Sequence, residues 1–137
     1  MLPINCSSRW RNTARASWAP AWPSLAAFHS HLPEAARTYA LPEHLRQQGY
    51  RRYGFHGLNH QHVSTTVQRQ WAASGKDPQA LRLISAHLGA GASLAAVRGE
   101  RCIDTTMGYT PLEGLVMASR SGSVDPCLLY TSPSPRD

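Results

Sequence analysis

Between Leu81 and Gly91 the chain reads Leu-Arg-Leu-Ile-Ser-Ala-His-Leu-Gly-Ala-Gly, an alternating apolar run that stops at a histidine and a Gly-x-Gly turn. That alternation predicts a strand over Leu81–Leu88. Two more strands are expected at Ser93–Val97 and Arg101–Thr106. The tight Arg98-Gly-Glu-Arg turn joins them into a β-meander. Upstream the period changes. Val63, Val67 and Trp71 recur at i, i+4 and i+8 and predict a helix over Gly57–Ala73 with those side chains on one face. Leu41-Pro-Glu-His-Leu-Arg reads as a loop entering a short helix that Gly49 ends, with Pro42 near its first turn. Tyr50–Phe55 reads as a short aromatic strand, Ser74-Gly-Lys-Asp-Pro as a turn, and Thr110–Ala118 as a loop entering a helix. Arg120–Pro126 reads as a loop. Residues 1–25, with Trp10, Trp18 and Trp22, and residues 127–137 show no period.

Composition narrows the class. A chain of 137 residues with 42% hydrophobic side chains allows one modest core. No apolar run reaches the roughly 18 residues of a membrane span, and no signal-peptide pattern opens the chain, so a soluble cytoplasmic protein without a membrane partner is expected. The net charge of +6 invites a polyanion partner, and a small basic nucleic-acid-binding protein is one reading. Against it, Arg9, Arg11 and Arg15 carry half of that excess, and the remainder is spread thinly with no basic stripe. Cys6, Cys102 and Cys127 are far apart and support neither a metal site nor a disulfide framework.

The candidate chemistry sits in three places. Gly89 and Gly91 lack Cβ atoms, so this turn can adopt positive φ and let an anion approach bare N–H groups; a plain hairpin is the competing reading. His56, between Gly54 and Gly57, is either a reactive-site imidazole or a hydrogen-bonded packing residue. Arg120, in Ser-Arg-Ser-Gly, is either an anion-binding fork or a solvated charge. His62 reads as surface, and Asp104 as a turn or cap acid.

Three blocks stand in register: Arg52-Tyr-Gly-Phe-His-Gly-Leu-Asn-His, Ala86-His-Leu-Gly-Ala-Gly-Ala-Ser, and Asp104-Thr-Thr-Met-Gly-Tyr-Thr-Pro-Leu-Glu-Gly-Leu-Val-Met-Ala-Ser-Arg-Ser-Gly. Together they closely resemble the acetokinase family, of the actin-like ATPase and sugar-kinase superfamily. The resemblance covers about Ala27 to Pro126, the interior of a longer enzyme. It implies an α/β fragment of an actin-like, ribonuclease H-like fold: a mixed sheet with the meander following a strand–helix unit. It also implies transfer of the ATP γ-phosphoryl group to acetate, giving acetyl phosphate, with propionate or butyrate as alternative acceptors. His56 and Arg120 match the family's transition-state histidine and arginine, and His87, Leu88, Gly89, Ala90 and Gly91 its phosphate-facing loop. His60 falls at the end of the family's His-Gly-x-Ser-His block. ATP, Mg2+ and a homodimer are implied for an intact enzyme. The acid that holds the metal comes later in the family, so no metal ligand is assigned here.

Two positions depart from that pattern. Ala90 stands where the family commonly has Asn, which removes one side-chain contact to phosphate. Leu25 falls where the family has a catalytic aspartate. Residues 1–25 are accordingly expected to be a non-matching, out-of-frame segment, 26–80 the end of a first actin-like domain, and 81–126 the opening of a second with its phosphate loop. Residues 127–137 are expected to be a non-native tail, since their codons can be written as a sequencing adapter. A piece of this kind is expected to be inactive alone and to expose unpaired sheet edges.

Overall fold

A computed structural model describes residues 27–131 of the chain. Residues 1–26, Leu25 among them, and 132–137 lie outside the described residues. The elements are α1 (Glu34–Arg37), α2 (Glu43–Gln47), α3 (Gly57–Ala73), a 3-10 turn (Pro78–Ala80), β1 (Arg82–Leu88), β2 (Ala92–Arg98), β3 (Arg101–Thr105) and α4 (Pro126–Thr131).

The expected meander forms, in the order β1-β2-β3, and its pairs are antiparallel. Register in the first hairpin runs from Arg82 opposite Arg98 to Leu88 opposite Ala92, so Gly89-Ala90-Gly91 is the connecting turn and His87 lies opposite Ser93. The turn closes with a Gly89 N–H bond to the Gly91 carbonyl at 3.1 Å. Neither glycine takes the positive φ that the sequence allowed; the residues with positive φ among those described are Gly49, Gly54, Gly75, Gly99, Gly114, Gly122 and His56. The second hairpin turns at Gly99, whose φ of 56° is readily taken by a residue without Cβ. A bulge then shifts the register between Ala96 and Val97.

α3 packs on β1, and its ends coincide with the helix expected from the sequence. Its fully buried positions are not the apolar row. Gly57, His60 and Ser64 are buried, whereas Val63, Val67 and Trp71 are half-buried. The side chains that β1 and β2 present there are Ser85 and Ser93 hydroxyls, which bind a histidine and not an aliphatic chain. Two small apolar clusters flank this polar seam. One joins Phe55, Ala92, Met107 and Met117, and the other Leu32, Ala95 and Cys102.

Three local expectations change. Tyr50–Phe55 is not a strand: a single antiparallel bridge joins Arg51 to Thr38, the Tyr53 and Gly54 N–H groups both point at the Gly108 carbonyl, and Gly54 turns the chain with φ 73°. Residues 110–118 form turns and bends, because Gly114 sits at φ 106° and backbone bonds from Ser123 to Gly114 and from Met117 to Arg120 fold the segment back on itself. At Pro126–Thr131, where no period was legible, a short helix starts. The Asp125 carboxylate accepts the Cys127 N–H at 2.9 Å, and proline at the first helical position needs no N–H partner.

Candidate functional site

His56 occupies the N-cap of α3 in a left-handed conformation, φ 58° and ψ 26°. A β-carbon makes that region costly, so the surrounding structure must hold it there. The preceding carbonyl, of Phe55, accepts a bond from His29 Nε2 at 2.9 Å, and the His56 carbonyl accepts the N–H groups of Asn59 and His60 that start the helix. The imidazole is thereby set against β1 and β2. It stacks on the His87 ring, centroids 3.9 Å apart and planes 14° from parallel, and its Nδ1 lies 2.9 Å from Ser93 Oγ.

The opposite nitrogen faces the glycine turn. A Cβ placed on Gly91 would lie 3.4 Å from His56 Nε2 and 3.5 Å from Arg120 Nη1. Gly91 therefore marks a narrow space lined by an imidazole edge, a guanidinium and bare backbone. A Cβ there would meet both groups at ordinary contact distance, occupying the space between them rather than clashing with either. Arg120 is fixed by a bond from Nη1 to the Pro111 carbonyl at 2.9 Å and a longer one to Met117 Sδ. Among the described residues no carboxylate pairs with it; the described ion pairs are Arg46–Glu43 and Arg52–Glu113. Its segment is tied to the turn by the Ala118 N–H, which reaches the Ala90 carbonyl at 3.4 Å.

The loop residues named from sequence divide. Gly91 lies at the center. His87 supports His56 by stacking and is itself held by Asn59 Nδ2, 2.9 Å from its Nδ1. Leu88 and Ala90 are exposed, so only their backbone could serve an anion; Gly89 has ordinary room around it.

Electrostatics separates the two site groups. Burial lowers the His56 pKa, and the neighboring His87, Arg120 and His29 lower it further. The ring is accordingly neutral at pH 7, and the fixed positive charge belongs to Arg120. His60 is pushed down to about 4 by burial and by the adjacent His29, His56 and His87, and burial also lowers His29, offset in part by its bond to Phe55. Burial raises the Cys102 thiol to about 12, which makes it a packing group and not a nucleophile.

Among the described residues no group of three or more His, Cys, Asp or Glu could hold a metal ion. Asp104 Oδ1 caps the Thr105 N–H, as a turn acid would. These residues do not by themselves fit Mg2+. A separate cavity of about 400 Å3, lined in part by Arg37, Arg46, Tyr50 and Arg51, does not include the His56 site. No described helix is long and apolar enough to cross a membrane.

Sequence reasoning missed Asn59, Ser85 and Ser93 as partners of the histidines. Ser93 was discoverable from register, since it lies opposite His87, and Ser85 from strand alternation, two residues before it on the same face.

Comparison with known proteins gives consistent matches. The sequence model of a family described as "Acetokinase family" matches residues 25–132. Acetate kinase of Synechococcus sp. (strain JA-2-3B'a(2-13)) is 57% identical over 103 residues, covering 75% of this chain and 25% of that protein. Acetate kinase of Nostoc punctiforme is 56% identical over 102 residues, covering 74% and 24%. Among solved structures, Porphyromonas gingivalis acetate kinase superposes with a TM-score of 0.66 at 44% identity, covering 77% of this chain and 26% of that one. A propionate kinase from Francisella tularensis gives 0.63 at 35% identity, covering 90% and 32%. The chain thus spans about a quarter of the length of the curated relatives it matches.

Proposed function

Because the chain belongs to the Acetokinase family, we propose that it carries one wall of a phosphoryl-transfer site, in an enzyme that moves the γ-phosphoryl group of ATP to acetate. In that reaction a carboxylate oxygen bonds to phosphorus, the bond from phosphorus to the β,γ-bridging oxygen breaks, and ADP leaves with the electron pair. Little covalent help is needed from protein; charge on the equatorial oxygens must be met by fixed donors. The observation that supports the reading is the convergence of His56 Nε2 and Arg120 Nη1 on Gly91.

Each residue then has a task. Arg120 supplies a guanidinium with no described carboxylate partner, able to bridge two phosphate oxygens. His56 adds a directed N–H donor rather than a second cation. Gly91 leaves the backbone open to the oxygens. His87 and Asn59 keep the His56 ring in plane. Mg2+, when bound in an intact enzyme, would screen phosphate charge, and its ligands would come from outside the described residues. The stronger likeness to acetate kinases favors acetate over propionate or butyrate as the acceptor. A homodimer in the cytoplasm completes the reading, as the family implies.

Grafting residues 27–126 into the matched segment of the Synechococcus acetate kinase tests it. We expect acetyl phosphate, trapped with hydroxylamine, from the chimera, and a loss on the order of a thousandfold with Arg120→Ala. A folded chimera that makes none, or an Arg120→Ala form as active as its parent, would contradict the assignment.

A further inference from the structure

The seam between α3 and the sheet contains an unbroken line of polar atoms. Ser85 Oγ lies 2.9 Å from His60 Nδ1, His60 Nε2 lies 2.8 Å from Ser93 Oγ, and Ser93 Oγ lies 2.9 Å from His56 Nδ1. His60, Ser85 and Ser93 are 0%, 1% and 0% exposed. Water cannot serve as a spare partner there, so the hydrogens can be assigned by counting.

A hydroxyl and a neutral imidazole each carry one polar hydrogen. His60 Nδ1 is the one hydrogen-bond partner of Ser85 Oγ among the described residues. Its hydrogen must therefore go to that nitrogen, since a stranded buried donor costs about 1–3 kcal/mol. His60 is neutral at pH 7, its burial and its histidine neighbors holding the pKa near 4. Its single hydrogen is then on Nε2 and is donated to Ser93 Oγ. Ser93 has its own hydrogen left to give, and its remaining partner is His56 Nδ1. The hydrogen of His56 is left on Nε2, the atom that faces Gly91.

We propose that Ser85, His60 and Ser93 act as positioning residues, a one-way hydrogen-bond chain that holds His56 as a neutral imidazole with its N–H on Nε2 and aimed into the Gly91 turn. The assignment of what that N–H meets rests on the phosphoryl-transfer reading above; the proton order does not. Reversing the chain would leave the Ser85 hydrogen buried without an acceptor. Protonating His56 would place a second hydrogen on Nδ1, against the Ser93 hydroxyl, and would force the same reversal. The groups facing the ring reinforce this. His87 of β1, Arg120 of the 110–126 segment and His29 ahead of α1 all disfavor a charge on it. The device gives the turn a donor fixed in direction whose strength does not change near neutral pH, while Arg120 alone brings charge.

Long-range 1H–15N spectra of the histidine rings in the 137-residue chain test the proposal without any phosphoryl transfer. Both His56 and His60 should show a protonated Nε2 and a bare Nδ1, with His56 titrating below the ordinary histidine midpoint. Ser93→Ala should move that midpoint up toward the ordinary value, and Ser93→Thr, which keeps the hydroxyl, should restore it. Protonated Nδ1 on either ring in the parent chain overturns the proposal, as does a Ser93→Ala midpoint equal to that of the parent. If Ser93→Ala fails to fold, the parent tautomers decide alone. Should the chimera above prove inactive, these ring protons still report the chain, so the two readings fail separately.

Discussion

The imidazoles of His56 and His87 lie face to face, 3.9 Å between centroids and 14° from parallel. Two rings so placed cannot both be charged at small cost, and Arg120 adds a third positive group beside them. The site is thus arranged around one permanent cation, Arg120, and a neutral His56. That arrangement explains why a chain with seven histidines is expected to have its site chemistry insensitive to pH near neutrality.

Acid should unfold the chain through the buried histidines. His60 has a folded pKa of about 4 against an ordinary 6.5, so the unfolded state binds the extra proton between those values. Stability is then complete above pH 6.5 and falls as pH drops toward 4. The loss from His60 alone is on the order of 3 kcal/mol. Urea unfolding followed by circular dichroism at pH 7, 6, 5 and 4 should show a midpoint that declines steadily. A midpoint unchanged from pH 7 to pH 5 would contradict the neutral-histidine seam.

The two glycines of the turn should respond differently to alanine. At Gly91 a methyl would fill the gap between His56 Nε2 and Arg120 Nη1, while φ is not strained. We expect a folded Gly91→Ala chain that binds inorganic phosphate at least about tenfold more weakly, a difference of about 1.4 kcal/mol. At Gly89 a methyl meets only ordinary contacts at 3.5 Å and 3.9 Å. Gly89→Ala should bind as the parent does. Phosphate titrations of the two variants, compared by isothermal calorimetry or NMR, check the pair.

Gly54 is where a methyl should be least tolerated near the site. Its φ is 73°, and an added Cβ would sit 2.6 Å from His29 Cγ and 2.7 Å from His29 Cδ2. His29 would have to leave the Phe55 carbonyl it holds beside His56. Strain and displacement together should cost at least about 2 kcal/mol. Chemical denaturation of Gly54→Ala measures it, and a stability equal to that of the parent would show that His29 does not brace the turn into α3.

Much of this was legible before the fold was seen. Alternation from Leu81 to Thr106 and the Arg98-Gly-Glu-Arg turn gave the meander, and the 3.6-residue period gave α3, because each signal is local. His56, Gly91 and Arg120 stood out through the company of their blocks, and the fold brings them together. What could not be read was non-local. The inner face of α3 follows from Ser85 and Ser93, which lie on other elements, so the apolar row of Val63, Val67 and Trp71 did not reveal it. Residues 110–118 carry helix-forming side chains, yet positive φ at Gly114 and the Met117–Arg120 backbone bond override them. The direction of the His60 chain needs the hydroxyl positions, which no period encodes.

Arginine at position 120 should matter for geometry as well as charge. Its Nη1 already bonds Pro111, which leaves the rest of the fork to reach an anion. Arg120→Lys should therefore retain part of the phosphate affinity and Arg120→Ala little of it, with the fold intact in both, since the side chain is half-buried and forms no described ion pair. Equal affinities for lysine and alanine forms would show that the charge does not act at this turn.

The convergence of His56, Gly91 and Arg120 is tested most directly by titrating the 15N-labeled chain with inorganic phosphate at pH 7. The expected result is a saturable shift of the Gly91 amide and of His56 Nε2–H, together and with one affinity, that disappears in Arg120→Ala. Shifts that leave Gly91 and His56 untouched, or that persist unchanged without the Arg120 guanidinium, would contradict it.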